Sequence, residues 1–220
     1  MNVTTVLELA LLGQKQSSLE QYQQIIDLCK KELAESAIKK KGSTELKRYK
    51  EALKLIKEIP AEYMKLNGTW LKDGKQYLCN GYMALELTNH IDNLPIIDNS
   101  RLNIDKIFDI DLNEYELIDT PNVTSLDNGI KIAKATYKAE HNTRKTPTMQ
   151  QLSNYDGGYF NHNNWYCNPH YLSQCIKILG TDVKLYIPKT SIVSAAYLEN
   201  ENGRAILLPI KKLINDKKEV

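Results

Sequence analysis

The chain has 220 residues, 42% of them hydrophobic and 25% charged, with a formal net charge of +2 at pH 7. That composition builds a sizeable core and excludes wholesale disorder, and the length suits one large domain or one domain with an appendage. Thirteen tyrosines against two phenylalanines place many large side chains where a hydroxyl reaches an edge or a wet surface.

Charge is segregated along the chain. Lys30, Lys31, Lys39, Lys40, Lys41, Lys47, Arg48, Lys50, Lys54 and Lys57 make a basic stretch. Glu86, Asp92, Asp98, Asp105, Asp109, Asp111, Glu114, Glu116 and Asp119 make an acidic one. Opposite faces of this kind suit a polyanion-binding surface or head-to-tail self-association into an oligomer; two solvated faces are the bland alternative. The apolar run "VLELALL" at 6–12 contains Glu8, lacks a basic leader and is too short for a bilayer. Four cysteines at irregular spacing, with no CxxC, read as reduced thiols in a cytoplasmic protein with no membrane partner.

Residues 17–41 predict a helix. Ser17 and Glu20 form a capping box, and Leu19, Tyr22, Ile26, Cys29 and Leu33 recur at helical steps. Gly42 stops it. A second helix starts at Ser43 or Thr44, carries Leu46, Tyr49, Leu53 and Ile56 as its apolar stripe, and ends at Pro60. The two predict a helical hairpin. From 63 to 89, Asn67-Gly68, Asp73-Gly74 and Asn80-Gly81 interrupt short apolar runs, which predicts antiparallel hairpins. Residues 103–110 read as short helical or irregular structure. The loose alternation of "GIKIAKATYKAE" at 129–140 predicts a strand, and the Asn-, Thr- and Gly-rich 141–164 an exposed loop.

The last third is the clearest. Asn168 is a good N-cap and Pro169 suits the first helical position. Tyr171, Leu172, Cys175, Ile176 and Leu179 make one stripe, and Gly180 closes the helix. Val183, Leu185 and Ile187 alternate as a strand; "SIVSAAYL" and "RAILLPIK" follow, joined by "ENENG". The tail thus reads helix–strand–strand–strand.

Cys167, His170 and Cys175 crowd together at the start of that helix. Cys167-x2-His170 has zinc-like spacing, but no second pair of ligands accompanies it. Cys175 falls on the apolar stripe, and no acidic residue nearby would orient a Cys–His nucleophile. Core plus cap is the better account, and His162 stands eight residues away in an Asn-rich stretch. No P-loop and no GxGxxG after a strand is present; Gly157-Gly158 lies in a polar segment. Asp109 and Asp111 read as surface charge. Nothing points to catalysis, a metal or a cofactor.

The positive signal is a row. Lys47, Lys50, Lys54 and Lys57 fall at i, i+3, i+7 and i+10, one narrow stripe of a helix. Ammonium groups on a rigid helix suit phosphate backbones without reading sequence. Glu51 and Glu58 are interspersed, and simple solvation is the competing reading.

The stretch 168–211 resembles the closing segment of bacterial DNA sliding clamps, the beta subunit of the replicative polymerase. The resemblance is carried by Asn168, Tyr171-Leu172, Val183-Lys184-Leu185, Ser194-Ala195-Ala196-Tyr197 and Leu208-Pro209-Ile210-Lys211. Residues 46–87 look like the opening of a clamp domain, a helix followed by a strand, an Asp-Gly hairpin and a second strand. This implies an α+β clamp-like domain over 43–212, with an N-terminal helical extension over 1–42 and a tail over 213–220. It implies a reduced clamp of the kind a phage or mobile element carries, with duplex DNA and replication proteins as partners. Lys47, Lys50, Lys54 and Lys57 would face the duplex from one helix, and His170, Gln174 and Lys177 from the other. Family clamps carry three such domains per chain. This chain has room for one, so a ring would need several copies. A protein-interaction module that keeps the fold without DNA is the alternative.

Overall fold

The computed structural model describes Val6, residues 19–58, Leu66, and residues 68–98 and 104–210. Helix α1 (Leu19–Lys39) turns at Gly42, whose φ of 130° is glycine's territory, into α2 (Ser43–Lys57). The pair is the expected hairpin, with Ala34 and Ile38 packed into the core that Tyr49, Ala52, Leu55 and Ile56 help form. Ser17, Pro60 and Asn67 lie outside the described residues.

Strands β1 (Trp70–Lys72), β2 (Lys75–Cys79) and β3 (Met83–Leu87) form an antiparallel meander. Asp73 and Gly74 take φ values of 51° and 73° in the first turn, as a two-residue hairpin requires. Asn80 holds the second turn by accepting from the Tyr82 and Met83 amides. Short α3 (Ile104–Ile107) and β4 (Tyr115–Ile118) follow.

Residues 129–140 are helical, not a strand: α4 spans Val123–Glu140. Asn122 caps it, its side chain accepting from the Thr124 and Ser125 amides, and Ile132, which gave the false alternation, is 62% exposed. The segment 141–164 is likewise not one long loop. It contains the turn of helix α5 (Met149–Leu152) and β5 (Phe160–His162), which pairs with β6 (Trp165–Cys167).

Helix α6 (Pro169–Leu179) starts as expected, the Asn168 side chain accepting from the His170 amide, and ends at Gly180 with φ 100°. Strands β7 (Lys184–Pro188), β8 (Ala196–Asn200) and β9 (Gly203–Leu207) then form a second meander. The strand in "SIVSAAYL" begins only at Ala196; Ile192 and Val193 are exposed.

The seven strands make one antiparallel sheet in the order β1-β2-β3-β9-β8-β7-β4. A helix followed by a three-stranded meander therefore occurs twice, and the two meanders mirror each other across the β3–β9 seam, with β4 added at the outer edge of the second. Alternation sorts the side chains by face. Leu78, Leu85, Leu198 and Leu207 point toward α2 and α6, and the main core lies there. Tyr77, Ala84, Tyr197 and Ile206 point the other way, under Ile104 and Phe108. Helix α6 is the keystone, with Leu172, Cys175, Ile178 and Leu179 fully buried; each buried Leu or Ile contributes about 1.5–3 kcal/mol.

Candidate nucleic-acid interface

The helices lie side by side over one sheet face, with α2 and α4 flanking α6 and α1 packed outside α2. Arg48 pins this arrangement. It is 2% exposed, donates from Nε to the Ile178 carbonyl at 2.8 Å and from Nη2 to the Asn89 carbonyl at 3.1 Å, and pairs with Glu45. Because Arg48, Ala52 and Leu55 face inward, Lys47, Lys50, Lys54 and Lys57 are all turned to solvent. The expected row is therefore present on the surface of α2. Lys50 shares its charge with Glu35 of α1 at 3.3 Å.

The α6 residues behave differently. Gln174 is 1% exposed, and its Nε2 donates to Glu58 Oε2 at 2.9 Å. A side chain so enclosed offers no atom to a duplex backbone; it ties α6 to the end of α2. His170 is half-buried, with Nε2 at 2.9 Å from the same Glu58 oxygen. Burial would raise the Glu58 carboxyl, but the hydrogen bond and charge of His170 and the bond from Gln174 hold it below its usual value. Lys177 is held between Asp127 of α4 at 2.8 Å and Glu51 of α2 at 3.6 Å. Asp127 also accepts from Ser173 Oγ at 2.7 Å. Its burial is again outweighed by the Lys177 and Ser173 bonds, so its carboxyl is held low. Lys177 is thus largely neutralised within the protein.

A second group of lysines escapes the reading of 129–140 as a strand. On the helix α4, Lys131, Lys134 and Lys138 follow Asp127 at i+4, i+7 and i+11, so they share the face that carries the Asp127 contact with α6. The Asn122 cap was the available signal for this helix. Lysines therefore stand on both sides of α6. Part of the acidic stretch lies elsewhere: Asp105 and Asp109 belong to the segment that covers the opposite sheet face through Ile104 and Phe108, whereas Asp92 pairs with Lys41 at the α1–α2 turn.

Cys167 and Cys175 are fully buried, and burial pushes both thiols up, Cys175 to about 12. Cys175 Sγ sits 3.4 Å from Met83 Sδ, inside the core. His162 lies 3.5 Å from Glu116. Among the described residues no three His, Cys, Asp or Glu side chains converge as metal ligands would. No described helix is long and apolar enough to cross a membrane.

No protein-family model matches the chain, and neither a curated protein nor a solved structure matches it significantly.

Proposed function

We propose that this chain is a non-catalytic, clamp-like DNA-binding or replication-accessory protein that contacts the backbone of duplex DNA through its helical layer. The carrying observation is the exposed row Lys47, Lys50, Lys54 and Lys57 on a helix locked in place by buried Arg48. Lys131, Lys134 and Lys138 widen the basic surface across α6. The repeated helix-and-meander unit supports the clamp-like part of the reading, because it lays α2 and α6 together across one sheet face.

Backbone contact of this kind is electrostatic and blind to base sequence. An anisotropy titration with labelled duplexes of two unrelated sequences tests it. Equal affinities that fall steeply as salt rises are expected. No binding at about 50 mM salt, or binding indifferent to salt, sinks the proposal.

The protein-interaction reading has its own supporting observation. Helix α1 covers one flank of α2 and draws Lys50 into an ion pair, which leaves less of the row for phosphates. Light scattering after size exclusion, with and without duplex, separates the two.

A further inference from the structure

Between α1 and α2 runs an open-sided groove of about 760 Å³. Its floor is apolar, built by Leu28, Ala34, Leu53 and Pro95. Leu28 is 62% exposed although it stands on a helix whose neighbours Ile26 and Cys29 are buried. Lys30, Lys31 and Lys57 stand at the rim, against a single acid of the lining, Asp27. Among the described residues neither Lys30 nor Lys57 has an ion-pair partner, while Lys31 reaches Glu35 only at 3.9 Å.

Two surfaces meet here that a DNA backbone does not need together. Phosphates gain from lysines but nothing from an apolar floor, and a duplex is too broad to settle between two packed helices. An apolar trough with a basic rim is instead complementary to a helix that has leucine-like side chains on one face and carboxylates beside them.

We propose that the α1–α2 groove is a docking site for an acidic amphipathic helix of a partner protein. The partner's apolar stripe lies on Leu28, Leu53 and Pro95, and its carboxylates meet Lys30, Lys31 and Lys57. The proposal rests on the groove alone and stands whether or not the helical layer binds DNA.

The probe is a fluorescein-labelled synthetic peptide of about four helical turns, with leucine at i, i+3, i+4 and i+7 spacing and glutamate elsewhere. Its controls are a scrambled peptide of the same composition and a peptide with lysine in place of glutamate. The full-length protein is expected to bind the acidic amphipathic peptide at least ~10-fold more tightly than either control. Leu28→Gln, at an exposed position that leaves the fold intact, and Lys30→Glu are each expected to weaken that binding by ~5-fold or more. Leu28→Gln is expected to leave duplex binding unchanged, which separates failure of this proposal from failure of the DNA reading. No binding, equal affinity for the scrambled peptide, or indifference to Leu28→Gln overturns it. Binding that emerges only in Leu9→Glu also overturns it, because the groove would then belong to this chain's own "VLELALL" segment.

Discussion

Arg204 on β9 forks onto Glu86 on β3, donating from Nε at 2.8 Å and from Nη2 at 2.9 Å to the two carboxylate oxygens. The two residues are direct cross-strand neighbours at the seam between the halves of the sheet. Lys75 and the Tyr77 hydroxyl also donate to Glu86, and the Arg204 guanidinium lies 4.9 Å over the Phe108 ring. The side chain of Glu86 is only 6% exposed. Removing it leaves a part-buried guanidinium without its partner, so Glu86→Ala is expected to cost about 3–5 kcal/mol in urea unfolding.

The same carboxylate sets an acid limit. Burial alone would raise its pKa, but the bonds from Arg204, Lys75 and Tyr77 hold it below the ordinary glutamate value. A carboxyl depressed on folding contributes stability that is fully present above the unfolded pKa, about 4.3, and is lost as pH falls toward and through the lower folded value. Unfolding free energy is therefore expected to fall below about pH 4, and Glu86→Gln to flatten that slope. An unchanged slope in Glu86→Gln would assign the acid limit to other carboxylates.

Gly157 is expected to tolerate no side chain. Its φ is +77°, and a Cβ there would stand 2.4 Å from the Gly129 Cα in the middle of α4. Neither backbone can retreat without moving the helix. Gly157→Ala is expected to destabilise by ~2–4 kcal/mol, read as a lowered urea midpoint at unchanged m-value.

Charge reversal along α2 is expected to act on DNA affinity and not on fold. Lys47 and Lys54 are exposed, so Lys47→Glu and Lys54→Glu should each weaken duplex binding by roughly 5- to 10-fold near 0.1 M salt. Each should also reduce the slope of log affinity against log salt by about 1. Gln174→Ala is expected to act differently, lowering stability through the lost bond to Glu58 with no change in that slope.

The thiols are expected to be silent. Cys167 and Cys175 have no exposed surface, and burial raises both above the ordinary thiol value. Neither should react with a thiol reagent such as DTNB in the native protein at neutral pH, and both should react at once in denaturant. Rapid labelling of either in the native state would reopen a nucleophilic role.

What the sequence disclosed follows from which signals were local. Asn168, Pro169 and Gly180 are caps that act within one turn, and they bound α6 as read. The Lys47–Lys57 row needed only helical spacing. The α4 helix was hidden because Gly129 and Ile132 mimic a broken, alternating strand, and Gly129 is explained only by the close approach of Gly157 from far along the chain. The β5–β6 hairpin was hidden because its turn is Asn163-Asn164, with φ values of 46° and 65°, where a glycine would have announced it. Gln174 and Lys177 sit at positions that helical spacing leaves open to solvent; only the Glu58, Glu51 and Asp127 carboxylates of neighbouring helices enclose them.

The seam between β3 and β9 joins residues 83–87 to residues 203–207 at the middle of the sheet. On a ribosome, the first meander would emerge long before the strand that completes its hydrogen-bonding edge. Until Leu207 has left the exit tunnel, β3 presents a bare, apolar edge of Met83, Ala84, Leu85 and Leu87. Nascent chains stalled short of that point are the species for chaperones to guard, and the emergence of β9 removes the edge from aggregation.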